Sequence, residues 1–177
     1  MQALHEIHHI EEIPDEGKFI TREAVRAVIP AEDKILMIKS TVNGDYKFPG
    51  GGKEPGETRE DALAREVREE CGVLLNRIIS ALGTVVEYSE AIEEDYDVFQ
   101  MTSWYYCCDL CETASDFSRQ DLDDYEQELG YRPVWVDINR AFAENSRLLM
   151  ADYARLPRWI ERETFVLKYL RENFLGS

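Results

Sequence analysis

Positive charge is what this chain is shortest of. Its 20 Lys and Arg face 36 Asp and Glu, which leaves a formal charge of −16 over 177 residues. A field of that sign repels polynucleotides and anionic bilayers, so nucleic acid and membrane are not expected as partners. Long apolar runs are missing as well, since no stretch of about 18 hydrophobic residues occurs. Met1 to Ile13 carries His and Glu where a secretory leader would carry basic and apolar blocks, so a cytoplasmic location is expected. Cysteine is scarce, with Cys71, Cys107, Cys108 and Cys111 in no disulfide-framework spacing, and the expected state is reduced thiol. Cys108-x-x-Cys111 is half of a zinc motif with no second pair or suitably spaced His. His5, His8 and His9 lie together in a segment read as solvated, without a further ligand group to make them a metal cluster. There is no internal repeat and no low-complexity linker.

What is present is enough apolar material for one core. With 44% hydrophobic and 32% charged residues, the composition is that of a globular protein, and the length fits one domain over 1–177. Alternating apolar residues predict strands at Thr21 to Ile29 and Lys34 to Ser40, joined as a hairpin through Pro30-Ala31-Glu32-Asp33. An Asn43-Gly44 turn leads through Tyr46 to Phe48 into Phe48-Pro49-Gly50-Gly51-Gly52-Lys53-Glu54-Pro55-Gly56. Its glycines and prolines exclude helix and sheet interior and allow close backbone approach. Further strands are predicted at Ile78 to Tyr88, Val98 to Leu110 and Tyr131 to Asp137, with Glu93-Glu94-Asp95 at a solvated hairpin tip. Helices are predicted at Ile138 to Asn145 and Pro157 to Phe174. Strands before and after a central helix, with helices at the end, imply an α/β fold in which a mixed sheet packs between helices.

The central helix carries the chemistry. Thr58 followed by Asp61 is a capping pattern, and Gly72 suits a left-handed stop, so a helix from Arg59 to Cys71 is predicted. Leu63, Val67 and Cys71 form its buried stripe. Glu66, Glu69 and Glu70 stand at i, i+3 and i+4 and share a face beside that stripe. Three carboxylates so close raise one another's pKa unless a cation intervenes. An all-oxygen donor set suits Mg2+ or Mn2+, which retain waters and accept phosphate oxygens.

The spacing is more specific than the carboxylates alone. Gly51, five free positions, Glu57, seven free positions, then Arg65-Glu66-Val67-Arg68-Glu69-Glu70-Cys71-Gly72-Val73 is the complete Nudix pattern. The chain therefore resembles the Nudix hydrolases, which cut diphosphate bonds in nucleotide derivatives. That resemblance covers roughly Thr21 to Asn145 and implies an α/β/α sandwich with a core of about 20–145 and a C-terminal helix of about 157–174. It further implies that the Gly50 carbonyl joins Glu66, Glu69 and Glu70 around the metal, while Glu57 and Arg65 orient loop and carboxylates. A later loop in this family supplies another carboxylate, and Glu126 or Glu128 is the candidate, their spacing placing both on one side of an extended segment. Arg26, on one strand face with Arg22, and Lys53 in the Gly-rich loop are candidate phosphate contacts. Tyr88 falls where several subfamilies carry a residue that tracks substrate.

The activity implied is metal-assisted attack of water on a diphosphate in a small nucleoside diphosphate derivative: a nucleotide sugar, dinucleoside polyphosphate or nucleoside triphosphate. Two alternatives share the fold, a nucleotide-sensing domain that does not cut and an enzyme like the isopentenyl diphosphate isomerases. The first usually lacks motif glutamates that this chain keeps. The second needs Cys and His at positions with no evident match here. Many relatives are dimers, which leaves a homodimer open.

Overall fold

The computed structural model describes residues 1–111, 117–152 and 156–173. Its strands are β1 (Ala3–His8), β2 (Phe19–Val28), β3 (Pro30–Ala31), β4 (Lys34–Ser40), β5 (Tyr46–Lys47), β6 (Leu75–Glu90), β7 (Val98–Leu110) and β8 (Tyr131–Asp137). The helices are α1 (Arg59–Cys71), α2 (Asp124–Glu128), α3 (Ile138–Asp152) and α4 (Trp159–Asn173). Phe174, predicted as the end of the last helix, lies outside the described residues. Among the described residues no helix is long and apolar enough to cross a membrane.

Strands divide between two sheets. The larger is mixed, in the order β1-β6-β7-β2, with β6 antiparallel to β7 and both outer pairs parallel. The smaller is antiparallel, with β4 between β3, β5 and β8. One apolar cluster joins α1, through Ala62, Leu63, Val67 and Cys71, to Val25, Ala27, Leu36 and Ile38. A second joins α4, through Val166, Leu167 and Leu170, to Val28, Met37, Phe48 and Tyr105. Helices thus cover the strands from two sides, as expected of an α/β/α sandwich. Leu63, Val67 and Cys71 are each 0% exposed, and burying side chains of this kind contributes about 1.5–3 kcal/mol apiece.

Several expectations need correction. The hairpin between the first two predicted strands exists only at its tip, where β3 pairs with the start of β4. β2 instead runs parallel beside β7, from Phe19 opposite Val98 to Val28 opposite Cys107. Its other edge is taken by the Gly-rich loop: Val25 N–H donates to Gly51 O at 2.9 Å, Ala27 N–H to Pro49 O at 2.8 Å and Lys53 N–H to Glu23 O at 2.9 Å. The N-terminal segment is not simply solvated. It forms β1 against β6, with only Ile7 of the strand buried, so its polar alternation hides an edge strand. The histidines are built in as well, with His5 stacked 4.2 Å from the Phe165 ring and the His9 side chain only 7% exposed. Finally, α3 continues past Asn145, whose side chain is spent on β5: Tyr46 N–H donates to its Oδ1 and its Nδ2 donates to Tyr46 O, both at 2.9 Å.

Candidate metal and phosphate site

The site is assembled on the face of α1 that looks toward the Gly-rich loop. Thr58 caps the helix, its Oγ1 accepting the Asp61 N–H at 3.1 Å, and Gly72 ends it at φ 68°, a left-handed conformation that glycine adopts without strain. The fixed ends set the rotation of the helix and present Glu66, Glu69 and Glu70 together.

Arg65 is the organiser. Its Nε and Nη2 grip Glu57 at 2.9 and 3.1 Å, Nη1 reaches Glu66 at 2.8 Å and Glu69 at 3.1 Å, and Nη2 also donates to Gly52 O at 3.0 Å. A planar fork of five donors is needed for that many oxygens at once. Hydrogen bonds to Glu57 first, then to Glu66 and Glu69, hold the Arg65 pKa above its already high ordinary value. In return the Glu57 carboxyl is held below the usual range.

Glu66 lies against the loop backbone. A Cβ on Gly51 would come within 2.4 Å of the Glu66 carboxylate, so glycine there lets that carboxylate lie against the loop backbone. Burial, then the neighbouring Glu70 charge, raises the Glu66 pKa against the pull of Arg65. Glu70 is deeper still at 1% exposed; its Oε2 accepts the Gly50 N–H at 2.7 Å. Its Oε1 is buried with no well-aligned hydrogen-bond donor, and its close neighbour is the Lys47 ammonium at 2.5 Å. Gly50 is held at φ 139° with its Cα pressed on Val25 O, where a Cβ would sit only 2.0 Å away, and its carbonyl accepts from Arg26 Nη1.

Of the two later candidates, Glu126 and not Glu128 lies beside Glu70 and Lys47. Residues 124–128 form a short helix, because Asp123 and Glu126 make a reciprocal capping box with bonds of 2.7 and 3.1 Å. On a helix a spacing of two faces opposite ways, so the expectation that Glu126 and Glu128 share a side fails, and Glu128 is exposed. Glu126 Oε1 approaches Lys47 Nζ at 3.9 Å, and burial followed by the charge and hydrogen bond of Glu70 pushes the Glu126 pKa up to about 7.

Three expected substrate contacts are placed otherwise. Arg26 is buried and engaged with Gly50 O. Lys53 folds back onto Glu57 O at 3.0 Å, tying the loop to the start of α1. Tyr88 is not brought to the cluster: it is level with Gln100 and Thr21, roughly 17 Å along the sheet from Arg26, and packs 5.1 Å from the His8 ring. Sequence reasoning missed Lys47, whose ammonium also lies 4.4 Å over the Tyr131 ring. Its signal was a basic residue one position ahead of the Phe48-Pro49-Gly50 turn.

Among the described residues no three His, Cys, Asp or Glu side chains converge as a ready-made ligand set. Arg65 and Lys47 draw the carboxylates onto separate cations. The residues nonetheless fit a divalent ion: an all-oxygen set, a buried Glu70 oxygen with no well-aligned hydrogen-bond donor, and two carboxyls, Glu66 and Glu126, raised by burial and then by the Glu70 charge.

Comparison with known proteins agrees with this geometry. The NUDIX domain family matches residues 20–160. The uncharacterized Nudix hydrolase YvcI of Bacillus subtilis (strain 168) is 33% identical over 120 residues, 67% of each chain. An ADP-ribose pyrophosphatase of Methanocaldococcus jannaschii is 44% identical over 63 residues, which is 34% of this chain and only 37% of that protein. A solved NUDIX hydrolase from Nitrosomonas europaea superposes with a TM-score of 0.56 over 86% of this chain and 90% of its own, at 22% identity, and so speaks for the fold. The helix of glutamates, its arginine clasp and the glycine loop above it therefore place this chain in the Nudix hydrolase family.

Proposed function

We propose that the chain, acting as one domain, is a Mg2+- or Mn2+-dependent diphosphohydrolase of small nucleoside diphosphate derivatives. The observation that carries it is the meeting of Glu70 and Glu126, from two separate helices, beneath the Gly50 loop. Gly50 O, Glu66, Glu69 and Glu70 are the groups that would hold the cation, with Glu126 beside them. When bound, the cation neutralises diphosphate oxygens and lowers the pKa of the attacking water.

The protein groups do the remaining work. Arg65 and Glu57 keep the carboxylates and the loop in register, which is where rate in phosphoryl chemistry comes from. Glu126, with a pKa near 7, is suited to accept a proton from water at neutral pH. Arg26 and Lys47 supply positive charge beside the loop in a chain whose overall field repels an anionic substrate. The name of the archaeal relative, an ADP-ribose pyrophosphatase, supports the nucleoside diphosphate class. The formal charge of −16 supports an enzyme that does not handle nucleic acid.

The test is a panel of ADP-ribose, nucleotide sugars, dinucleoside polyphosphates and nucleoside triphosphates with each cation, run on the parent and on Glu70→Gln. At least one member should turn over, and Glu70→Gln should lower that turnover by about a hundredfold or more. Tight binding of one member without cleavage would replace the enzyme reading by a nucleotide sensor.

A further inference from the structure

Beneath the Gly-rich loop lies a buried carboxylate that the proposed chemistry does not use. Glu163 of α4 is 0% exposed. Its Oε2 accepts the Phe48 N–H at 2.9 Å, and its Oε1 accepts Arg162 Nε and Nη2 at 3.0 and 2.8 Å and the Tyr105 hydroxyl at 3.4 Å. Arg162 continues to Glu87 on β6. A buried charge is costly unless paired and hydrogen-bonded, and this one is both.

The bond to Phe48 is informative because of where Phe48 stands. It follows the last residue of β5, so its N–H is past the strand ladder, and it is itself 0% exposed. A buried N–H needs an acceptor, and the next residue, Pro49, has no N–H of its own with which to anchor the loop by donation. Glu163 supplies that acceptor from the far side of the loop. Two residues on, Gly50 donates its N–H to Glu70, and its carbonyl accepts from Arg26. Pro49 between them restricts the backbone, so a displacement at Phe48 is carried to Gly50. Arg162 and Glu163 both lie beyond residues 20–160, the stretch that the family match covers.

We propose that Glu163 is a positioning residue for the metal loop: by holding the Phe48 N–H it fixes Gly50 against Glu70, and α4 thereby completes the site from outside the family-matched stretch. This rests on the functional reading above. The full chain is used throughout, with Mn2+ binding measured by calorimetry and loop order by amide hydrogen exchange. Glu163→Ala should weaken Mn2+ binding by about 10- to 100-fold, the scale for losing a group that orients a ligand. It should also speed exchange at Phe48 and Gly50. Glu163→Gln, which keeps an oxygen for the Phe48 N–H, should recover most of that loss. Tyr105→Phe, which touches only the other oxygen, should bind within about twofold of the parent.

Should Glu163→Ala fail to fold, Arg162→Met with Glu163→Leu and Glu87→Met removes the three mutually paired buried charges together, a change that often preserves stability, and still leaves Phe48 without its acceptor. A folded Glu163→Ala or triple variant that binds Mn2+ like the parent, with loop exchange unchanged, overturns the inference, as does an equal loss in Tyr105→Phe. A parent that binds no Mn2+ overturns the functional reading, while exchange at Phe48 still reports on the clamp by itself.

Discussion

Lys47 Nζ lies 2.5 Å from Glu70 Oε1, the ammonium 12% and the carboxylate 1% exposed. The pair has two consequences. Glu70 is a buried charge whose neutralisation comes from Lys47, and removing one partner of such a pair typically costs about 3–5 kcal/mol. The same ammonium occupies the oxygen a divalent ion would use. Lys47→Met is therefore expected to lower the melting temperature in EDTA and to gain more from added Mn2+ than the parent does. Thermal unfolding with and without Mn2+ measures both, and a variant with the parent's melting temperature and metal shift would show that Lys47 is incidental to Glu70.

Glu126 gives the site a pH dependence of defined sign. Its folded pKa of about 7 is above the ordinary carboxylate value of 4.5, owing to burial and then Glu70. Between those values the folded state holds a proton that the unfolded state has released, so this group's contribution is fully present below pH 4.5 and is lost as pH rises toward 7. Urea unfolding in EDTA at intervals from pH 4 to 8, compared with Glu126→Gln, isolates it. The parent should lose stability relative to the variant across that window, and parallel curves would remove Glu126 from the cluster.

How legible these groups were in the sequence follows from the range of the forces that place them. α1, β4, β7 and β8 were read at the bounds the structure gives, because capping residues and strong apolar periodicity act locally. Within the site, the shared face of Glu66, Glu69 and Glu70 was legible for the same reason, since one capped helix carries them, whereas Glu57 and Arg65 were expected beside them only through the resemblance to the Nudix pattern. What was not legible depended on partners far along the chain. β1 is an edge strand whose polar residues face out, α2 is a single turn set by Asp123 and Glu126, and the parallel partner of β2 lies about 80 positions away. Arg162 and Glu163 sit where periodicity gives only an amphipathic helix, and their burial is visible only once Glu87 and Phe48 are beside them.

Arg65→Lys tests whether the fork or the charge matters. Lysine keeps the charge but cannot hold Glu57, Glu66, Glu69 and Gly52 O in one plane. Misplacing reacting groups by about 1 Å costs on the order of a hundredfold, so a loss of roughly 10- to 100-fold in kcat with retained circular dichroism is expected. A lysine variant with parental kcat would reduce Arg65 to a counter-charge.

Two adjacent glycines give the sharpest contrast. A Cβ on Gly51 would meet the Glu66 carboxylate at 2.4 to 2.5 Å, while one on Gly52 would find nothing within 4 Å. Neither residue is among the glycines with positive φ, so both substitutions are compatible with the backbone and the difference is one of contact. Gly51→Ala must push Glu66 off the loop and away from Arg65, with an overpacking cost of about 1–3 kcal/mol and a fall in turnover of tenfold or more. Gly52→Ala should stay within about twofold of the parent and be no less stable, because alanine narrows the unfolded ensemble where the native backbone accepts it. Turnover and thermal unfolding of the two variants, measured side by side, decide the point. Equal behaviour would mean that Glu66 does not depend on the close approach of the Gly51 backbone.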